Sequence, residues 1–367
     1  MNQDFFTKQI LTYMGNKRKF ISTIKKIIND LSIQTPIQSI AEGFTGSGIV
    51  SRLFKNHAQH LYVNDLAGYS KTLSSCYLAT PSKSTLDKIR HYIEEANKFA
   101  AAPLPATPEW IQQHWAPKND IDIQPHERAY YTTANAKRID RYRYFIEHIP
   151  KKYRPFLLAP LLIECSIHTN TSGQFAAFYK KGNCGHYGGK TETDVKRITT
   201  PIMIPFPIFS PSAAKITISQ QDTNEWIKTI PSTDLLYLDP PYNKHPYSIY
   251  YFMLDMINDW DTTQEIPKTL RGQPKNWKRS LYNSTPHAKR MFEDLIKHAK
   301  AKYILISYND GGIIPLIELE RILKAKGEVT KIPVQHNTYN RMIGISNYKR
   351  KKEKQMKPKE FLWLIKT

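Results

Sequence analysis

Four consecutive residues, Asp239-Pro240-Pro241-Tyr242, bring together a carboxylate, a rigid turn and an aromatic ring. They follow the apolar run Leu235-Leu236-Tyr237-Leu238, which reads as a buried parallel strand. Two prolines cannot continue a hydrogen-bonded ladder, so the strand ends there. In open α/β sheets, ligands bind at the carboxyl ends of the strands. An acid beside a ring at such a place can hold a planar base by its face and accept hydrogen bonds from an exocyclic amino group.

A second constellation, Glu42-Gly43-Phe44-Thr45-Gly46-Ser47-Gly48, is a glycine-rich turn ahead of a helix start. Such a turn lets backbone approach a ligand closely, and the helix start offers unpaired N–H groups. The Gly-Lys-Ser/Thr ending of a phosphate loop is missing, and Glu42 would repel phosphate. A carboxylate there suits an amino group or a sulfonium, and Phe44 adds an apolar wall. The ligand implied is cationic and zwitterionic, as S-adenosylmethionine is. Three weaker features are each open to a structural reading. Asp65, in Asn64-Asp65, either binds ribose hydroxyls, as the acid of dinucleotide folds does, or forms an Asx turn or helix cap. Asp222, in Gln221-Asp222, either meets the adenine end of such a cofactor or caps the helix over 224–228. Tyr13-Met14-Gly15-Asn16-Lys17 either covers a bound carboxylate or is only a capped helix start.

These features need an α/β frame. Residues 1–80 supply a helical pattern (Phe20, Ile21, Ile24, Ile27, Ile28, Leu31), a strand over 38–41, a helix over 49–55 and a strand over 60–64. The alternation stops at about Pro81. Long helices are expected over 84–101, 126–149 and 154–167, then a Gly-rich stretch over 182–189. After Ser210 the alternation returns, with strands over 215–219, 233–239, 303–307, 328–334 and 361–365, and helices over 247–260, 287–300 and 314–324. One α/β domain is therefore expected from residues 1–80 and 211–367, with 81–210 as an inserted, mainly helical one. The basic run from Lys349 to Lys354 is expected at a hairpin tip between the last two strands.

Composition narrows the partners. The 367 residues are 40% hydrophobic, so the chain is globular. No stretch reaches the roughly 20 apolar residues that span a bilayer, and Met1-Asn2-Gln3-Asp4 has no signal-peptide pattern. Cys76, Cys165 and Cys184 are too scattered for a disulfide framework or a metal pair, so a cytoplasmic protein without a metal is expected. Fifty-three Lys and Arg face 32 Asp and Glu, a formal charge of +21. That excess suggests a polyanion; general solubility is the alternative. Basic residues interleave with aromatics around Arg138, Arg141, Tyr142, Arg143 and at Tyr179-Lys180-Lys181, a mixture that suits phosphates and stacked bases.

In this order, Tyr13-x-Gly15-x-Lys17, Phe44-x-Gly46-Ser47-Gly48 and Asp239-Pro240-Pro241-Tyr242, the chain resembles the D12-class, Dam-like N6-adenine DNA methyltransferases. The strand carrying Ser307-Tyr308-Asn309 is also similar. One departure is Glu42-Gly43, where the family has Asp-Pro. The resemblance implies a Rossmann-like S-adenosylmethionine-dependent sheet and a target-recognition domain over 81–210. It implies a cofactor site made by Tyr13, Gly15, Lys17, Glu42, Phe44, Gly46, Gly48, Asp65, Asp222 and Asp239. A duplex adenine must be flipped out before its N6 can react. Asp239 and the Pro240 carbonyl would accept from that amino group, and Tyr242 would stack on the ring. Phosphate contacts are expected from Arg138, Arg141, Lys180, Lys181 and Lys244. The expected partner is double-stranded DNA; a restriction endonuclease acting on the same site, where one exists, is expected on a separate chain. The rival readings are an RNA purine methyltransferase and a non-catalytic DNA-binding module.

Overall fold

Short apolar runs punctuated by turns build a seven-stranded sheet in the computed structural model, which describes residues 3–102, 108–189, 191–275, 277, 279–334 and 359–367. The chain opens with a single helical turn, α1 (Asp4–Thr7), then α2 (Ile21–Gln34), β1 (Ser39–Glu42), α3 (Ile49–Lys55), β2 (His60–Asn64) and α4 (Gly68–Tyr77). A helical stretch follows: α5 (Lys83–Ala101), α6 (Trp110–Trp115), α7 (Thr133–His148) and α8 (Arg154–Ile167). A two-residue ribbon, β3 (Lys180–Lys181) and β4 (Cys184–Gly185), and α9 (Val195–Thr199) end it. Then come β5 (Lys215–Ser219), α10 (Thr223–Thr229), β6 (Thr233–Leu238), α11 (Tyr247–Tyr250), α12 (Phe252–Asp259) and α13 (Thr285–His298). The last elements are β7 (Ala301–Asn309), α14 (Leu316–Lys324), β8 (Glu328–Val334) and β9 (Glu360–Lys366).

The sheet order is β5-β2-β1-β6-β7-β9-β8. β5, β2, β1, β6 and β7 run parallel, whereas β9 is antiparallel to both β7 and β8. This is a mainly parallel α/β sheet of the kind that methyltransferases use. Strand direction explains the apolar runs. Leu235 and Tyr237 of β6 pack with α2 and α3, while Leu236 and Leu238 pack with α10, α13 and α14. Alternate side chains face opposite layers, so a strand covered on both faces is apolar throughout.

A third core holds Tyr69, Leu73 and Tyr77 of α4, Ile89 and Ile93 of α5, Ile139 of α7, Leu157 and Leu161 of α8, and Phe252 and Leu254 of α12. The helical stretch leaves and returns at one place. Lys55 Nζ donates to Ala79 O (2.7 Å) and Ser210 O (3.1 Å), and the Thr80 hydroxyl donates to Ser212 O (2.6 Å). Among the described residues no helix is long and apolar enough to cross a membrane.

Two expected helices differ in extent. The one expected over 126–149 starts at Thr133, because Thr132 Oγ1 caps it by accepting from Asn135 N–H. The residues before it carry Tyr130, whose N–H donates to Trp115 O. The run over 247–260 is two helices, broken at Tyr251 and ended by Trp260 at φ +53°. The basic run from Lys349 to Lys354 lies outside the described residues.

Candidate active site

β1 and β6 are neighbours, yet the chain runs from β1 outward to β2 and β5 and from β6 outward to β7. Their carboxyl ends therefore flank the point where strand order reverses, the usual ligand crevice of such sheets. Glu42 ends β1 in register with Tyr237, so Asp239 emerges just beyond it. A cleft of about 440 Å³ opens there. Of the residues expected in the cofactor site, Tyr13, Gly15, Lys17, Glu42, Phe44, Gly46, Asp65, Asp222 and Asp239 line this cleft, and Gly48 does not. Pro241 lines it, whereas Pro240 and Tyr242 stand beside it.

One half of the cleft is acidic. Glu42 is 1% exposed and accepts from the Ser51 hydroxyl in the first turn of α3. Burial pushes its carboxyl well above the ordinary range, with the charges of Asp239 and Asp65 adding to the effect. Among the described residues no Lys, Arg or His comes within salt-bridge distance of it. Asp65 follows β2 and accepts from Gly46 N–H (2.7 Å) and Ala67 N–H (2.9 Å), which ties the glycine turn to the second strand. Its carboxyl is also raised by burial, against those hydrogen bonds. Asp222 fulfils its structural reading, capping α10 through Asn224 N–H (2.9 Å), and its side chain also borders the cleft. Phe44 stands edge-on to Tyr282 (5.4 Å, 87°).

The other half centres on Asp239. Lys17 Nζ lies 3.2 Å from its Oδ1 and 3.8 Å from Oε2 of Glu360, the first residue of β9. Burial pushes Asp239 up to about 6; Lys17 opposes that shift and Glu360 adds to it. Burial alone would lower Lys17, but the two carboxylates outweigh it and its pKa is raised. Lys17, expected beside a cofactor carboxylate, is thus the counterion shared by Asp239 and Glu360. Tyr242 packs over this ammonium (5.6 Å) and edge-on to Tyr308 (5.8 Å, 75°). Tyr13 stacks on Tyr247 (5.1 Å, 12°) and Tyr251 (4.6 Å, 19°).

Sequence reasoning did not single out Glu360, Ser51, Tyr69 or Tyr251. None of the cations expected to meet phosphates lines the cleft. Arg138 Nε donates to Ile202 O (2.7 Å) and Arg141 Nη1 to Ala100 O (3.3 Å), so both brace the helical stretch. Arg143 is buried against Glu147 and the Trp260 ring. Lys180 and Lys181 form β3, and Lys244 is exposed in the loop after Tyr242.

A family model of the D12 class N6 adenine-specific DNA methyltransferases matches residues 13–310, which include every residue lining the cleft but not Glu360, the second carboxylate beside Lys17. The chain belongs to this family. As a D12-class enzyme it methylates adenine in DNA at N6, and neither rival reading finds support. The chain is 27% identical over 336 residues to the type II methyltransferase M.NlaIII of Neisseria lactamica, covering 90% of this chain and 92% of that one. It is 26% identical over 335 residues to the type II methyltransferase M.CviAII of Paramecium bursaria Chlorella virus 1, covering 90% and 93%. The modification methylase LlaI of Lactococcus lactis subsp. lactis is 28% identical over 345 residues, 90% of this D12-class chain but 51% of that relative.

Proposed function

We propose that the cleft binds S-adenosylmethionine against Glu42, Phe44, Gly46, Asp65 and Asp222, and that a flipped adenine reaches Asp239 from duplex DNA. The observation that carries this reading is the meeting of Glu42 and Asp239 in one cleft at the reversal of strand order. The residues fit the cofactor: Glu42 is a buried carboxylate, and a cationic ligand would compensate it. The volume suits a small ligand. When bound, S-adenosylmethionine supplies an electrophilic methyl group.

The chain's own contribution is position and charge. Asp239 and the carbonyl of Pro240 accept from the adenine amino group and keep electron density on its nitrogen, and Tyr242 offers a ring for the base. Holding the nucleophile in place supplies most of the rate. Tyr13 and Gly15 close the cofactor side, and Gly48 shapes the turn. Residues 81–210 act as the target-recognition domain, with Lys180, Lys181 and Lys244 toward phosphates, while Arg138 and Arg141 brace that segment internally. The relatives' names support a role as the modification enzyme of a restriction system; a cytoplasmic location and an endonuclease on a separate chain belong to the same proposal.

The test is to give purified protein labelled cofactor with unmethylated duplex DNA or total RNA and to identify the labelled nucleoside. N6-methyladenine from DNA is expected; label in RNA, or at cytosine, overturns the reading. Asp239→Ala should lose about 10²–10³-fold or more in turnover while still binding cofactor. Glu42→Ala should weaken cofactor binding by about 10-fold or more, the worth of a charged hydrogen bond; unchanged affinity by calorimetry refutes its role.

A further inference from the structure

Between α12 and α13 lies a turn that the sheet does not require. Gly272 N–H closes it on Thr269 O at 3.0 Å, with Leu270 and Arg271 at its centre. Leu270 is 45% exposed. A lone exposed leucine is ordinary; the bracing beneath this one is not. Arg128, from the stretch before α7, donates Nη2 to Pro267 O (2.6 Å) and Thr269 O (2.8 Å), Nε to Thr269 O (3.1 Å) and Nη1 to His114 O (2.7 Å). Gly272 has φ +65°, and a Cβ there would lie 2.6 Å from the Arg128 guanidinium carbon. From the other side Trp115 Nε1 donates to Arg271 O (3.2 Å), and Arg271 Nε donates to Ala176 O (3.1 Å). Surface turns are usually mobile; this one is fixed at several points and holds a half-exposed leucine, flanked in sequence by Lys268 and Arg271, at the edge of a groove.

The turn also walls a second groove of about 420 Å³, with Ala176, Ala177 and Lys180 opposite. Gln273 and Trp277 line both this groove and the cleft, so the two are adjacent and share a wall. The groove's cations, Lys180 and Arg271, complement a phosphate chain.

We propose that this turn opens the DNA duplex, with Leu270 as the wedge that enters the base stack as the target adenine leaves it. The proposal rests on the reading that adenine is flipped toward Asp239. Flipping leaves a gap, and proteins that part base steps fill such gaps with apolar side chains. A wedge already braced loses little conformational freedom on insertion. Lys268, Arg271 and Lys180 meet the phosphates beside it. The recognition surface therefore includes residues 267–272, beyond the 81–210 segment.

The experiment uses the full chain and two synthetic duplexes carrying its target site, mapped from genomic DNA of expressing cells. One duplex has thymine opposite the target adenine and the other an abasic site. Leu270→Ala should cost about tenfold or more in single-turnover methylation of the paired duplex and little on the abasic one, where the adenine is already unpaired. Arg128→Ala, which frees the turn, should give a weaker form of the same pattern. Ile317→Ala, at another exposed apolar side chain (79%), should change neither rate. Equal loss on both duplexes, or no loss on the paired one, overturns the wedge. So does a change of oligomeric state in Leu270→Ala with the paired rate kept, which would assign the leucine to a second copy of the chain. No methylation of either duplex by the unaltered protein would sink the functional reading itself, whereas the ratio between the duplexes reads Leu270 alone.

Discussion

A buried carboxylate that shares one ammonium with a second carboxylate titrates where a solvated aspartate does not. Asp239 sits 3.2 Å from Lys17, and Glu360 holds the same ammonium from 3.8 Å. Burial lifts Asp239 from 3.8 to about 6. An acceptor for an amino group works as the carboxylate, so kcat/KM should fall as pH drops through about 6, where Asp239 takes a proton. Lys17 lowers that value and Glu360 raises it. Lys17→Met should therefore move the acid limb to higher pH, and Glu360→Gln should move it lower. A pH profile of kcat/KM checks both; limbs that stay put would leave these two residues with a packing role only. The stability sign follows from linkage. A carboxyl raised on folding contributes stability that is complete below its unfolded value of 3.8 and is lost as pH rises through about 6. Asp239→Asn should accordingly keep or raise Tm at pH 7 while turnover is lost.

Among the elements, the turn from β1 to α3 carries a separable prediction. Gly46 and Gly48 both lie at positive φ, +54° and +76°. A side chain in that region costs about 1–2 kcal/mol. A Cβ on Gly46 would lie 3.0 Å from the Tyr13 ring, whereas one on Gly48 would meet nothing within 4 Å. Both Ala variants should lose stability by about that amount, but only Gly46→Ala should also raise the KM for cofactor. Thermal melts and cofactor titration check this, and equal KM changes would refute the distinction. The turn was legible in the sequence because an acid, glycines and a helix start sit together within seven residues, Glu42 to Gly48. Glu360 was not. In a parallel strand the residue facing the crevice ends the apolar run, as Glu42 and Asp239 do. In antiparallel β9 the residue at that same end of the sheet, Glu360 beside Lys17, begins the run, where the sequence looks like an ordinary polar flank. Arg138 and Arg141 show the reverse: a basic, aromatic helix read as a phosphate surface donates guanidinium hydrogen bonds to its own segment's carbonyls.

Across the whole molecule, the break in α/β alternation near Pro81 and its return after Ser210 were legible, and Lys55 holds Ala79 and Ser210 together at that junction. What periodicity could not reveal is how far the core runs through the junction. Tyr69, Leu73 and Tyr77 of α4 and Phe252 and Leu254 of α12 belong to the same cluster as Ile89, Ile139 and Leu161. Such contacts join residues far apart in the chain, and no local pattern encodes them. Trp115 is fully buried there, edge-on to Trp110 (5.2 Å, 86°) and tilted against Phe252 (6.5 Å, 51°). A helical stretch that shares its core with α4 and α12 cannot unfold separately without exposing it. The chain should therefore give one calorimetric transition, with calorimetric and van't Hoff enthalpies in agreement. Trp115→Ala should destabilise it by about 3–5 kcal/mol and lower the single Tm. Two transitions, with only one displaced by Trp115→Ala, would mean that 81–210 folds on its own and that the shared core carries little of the stability.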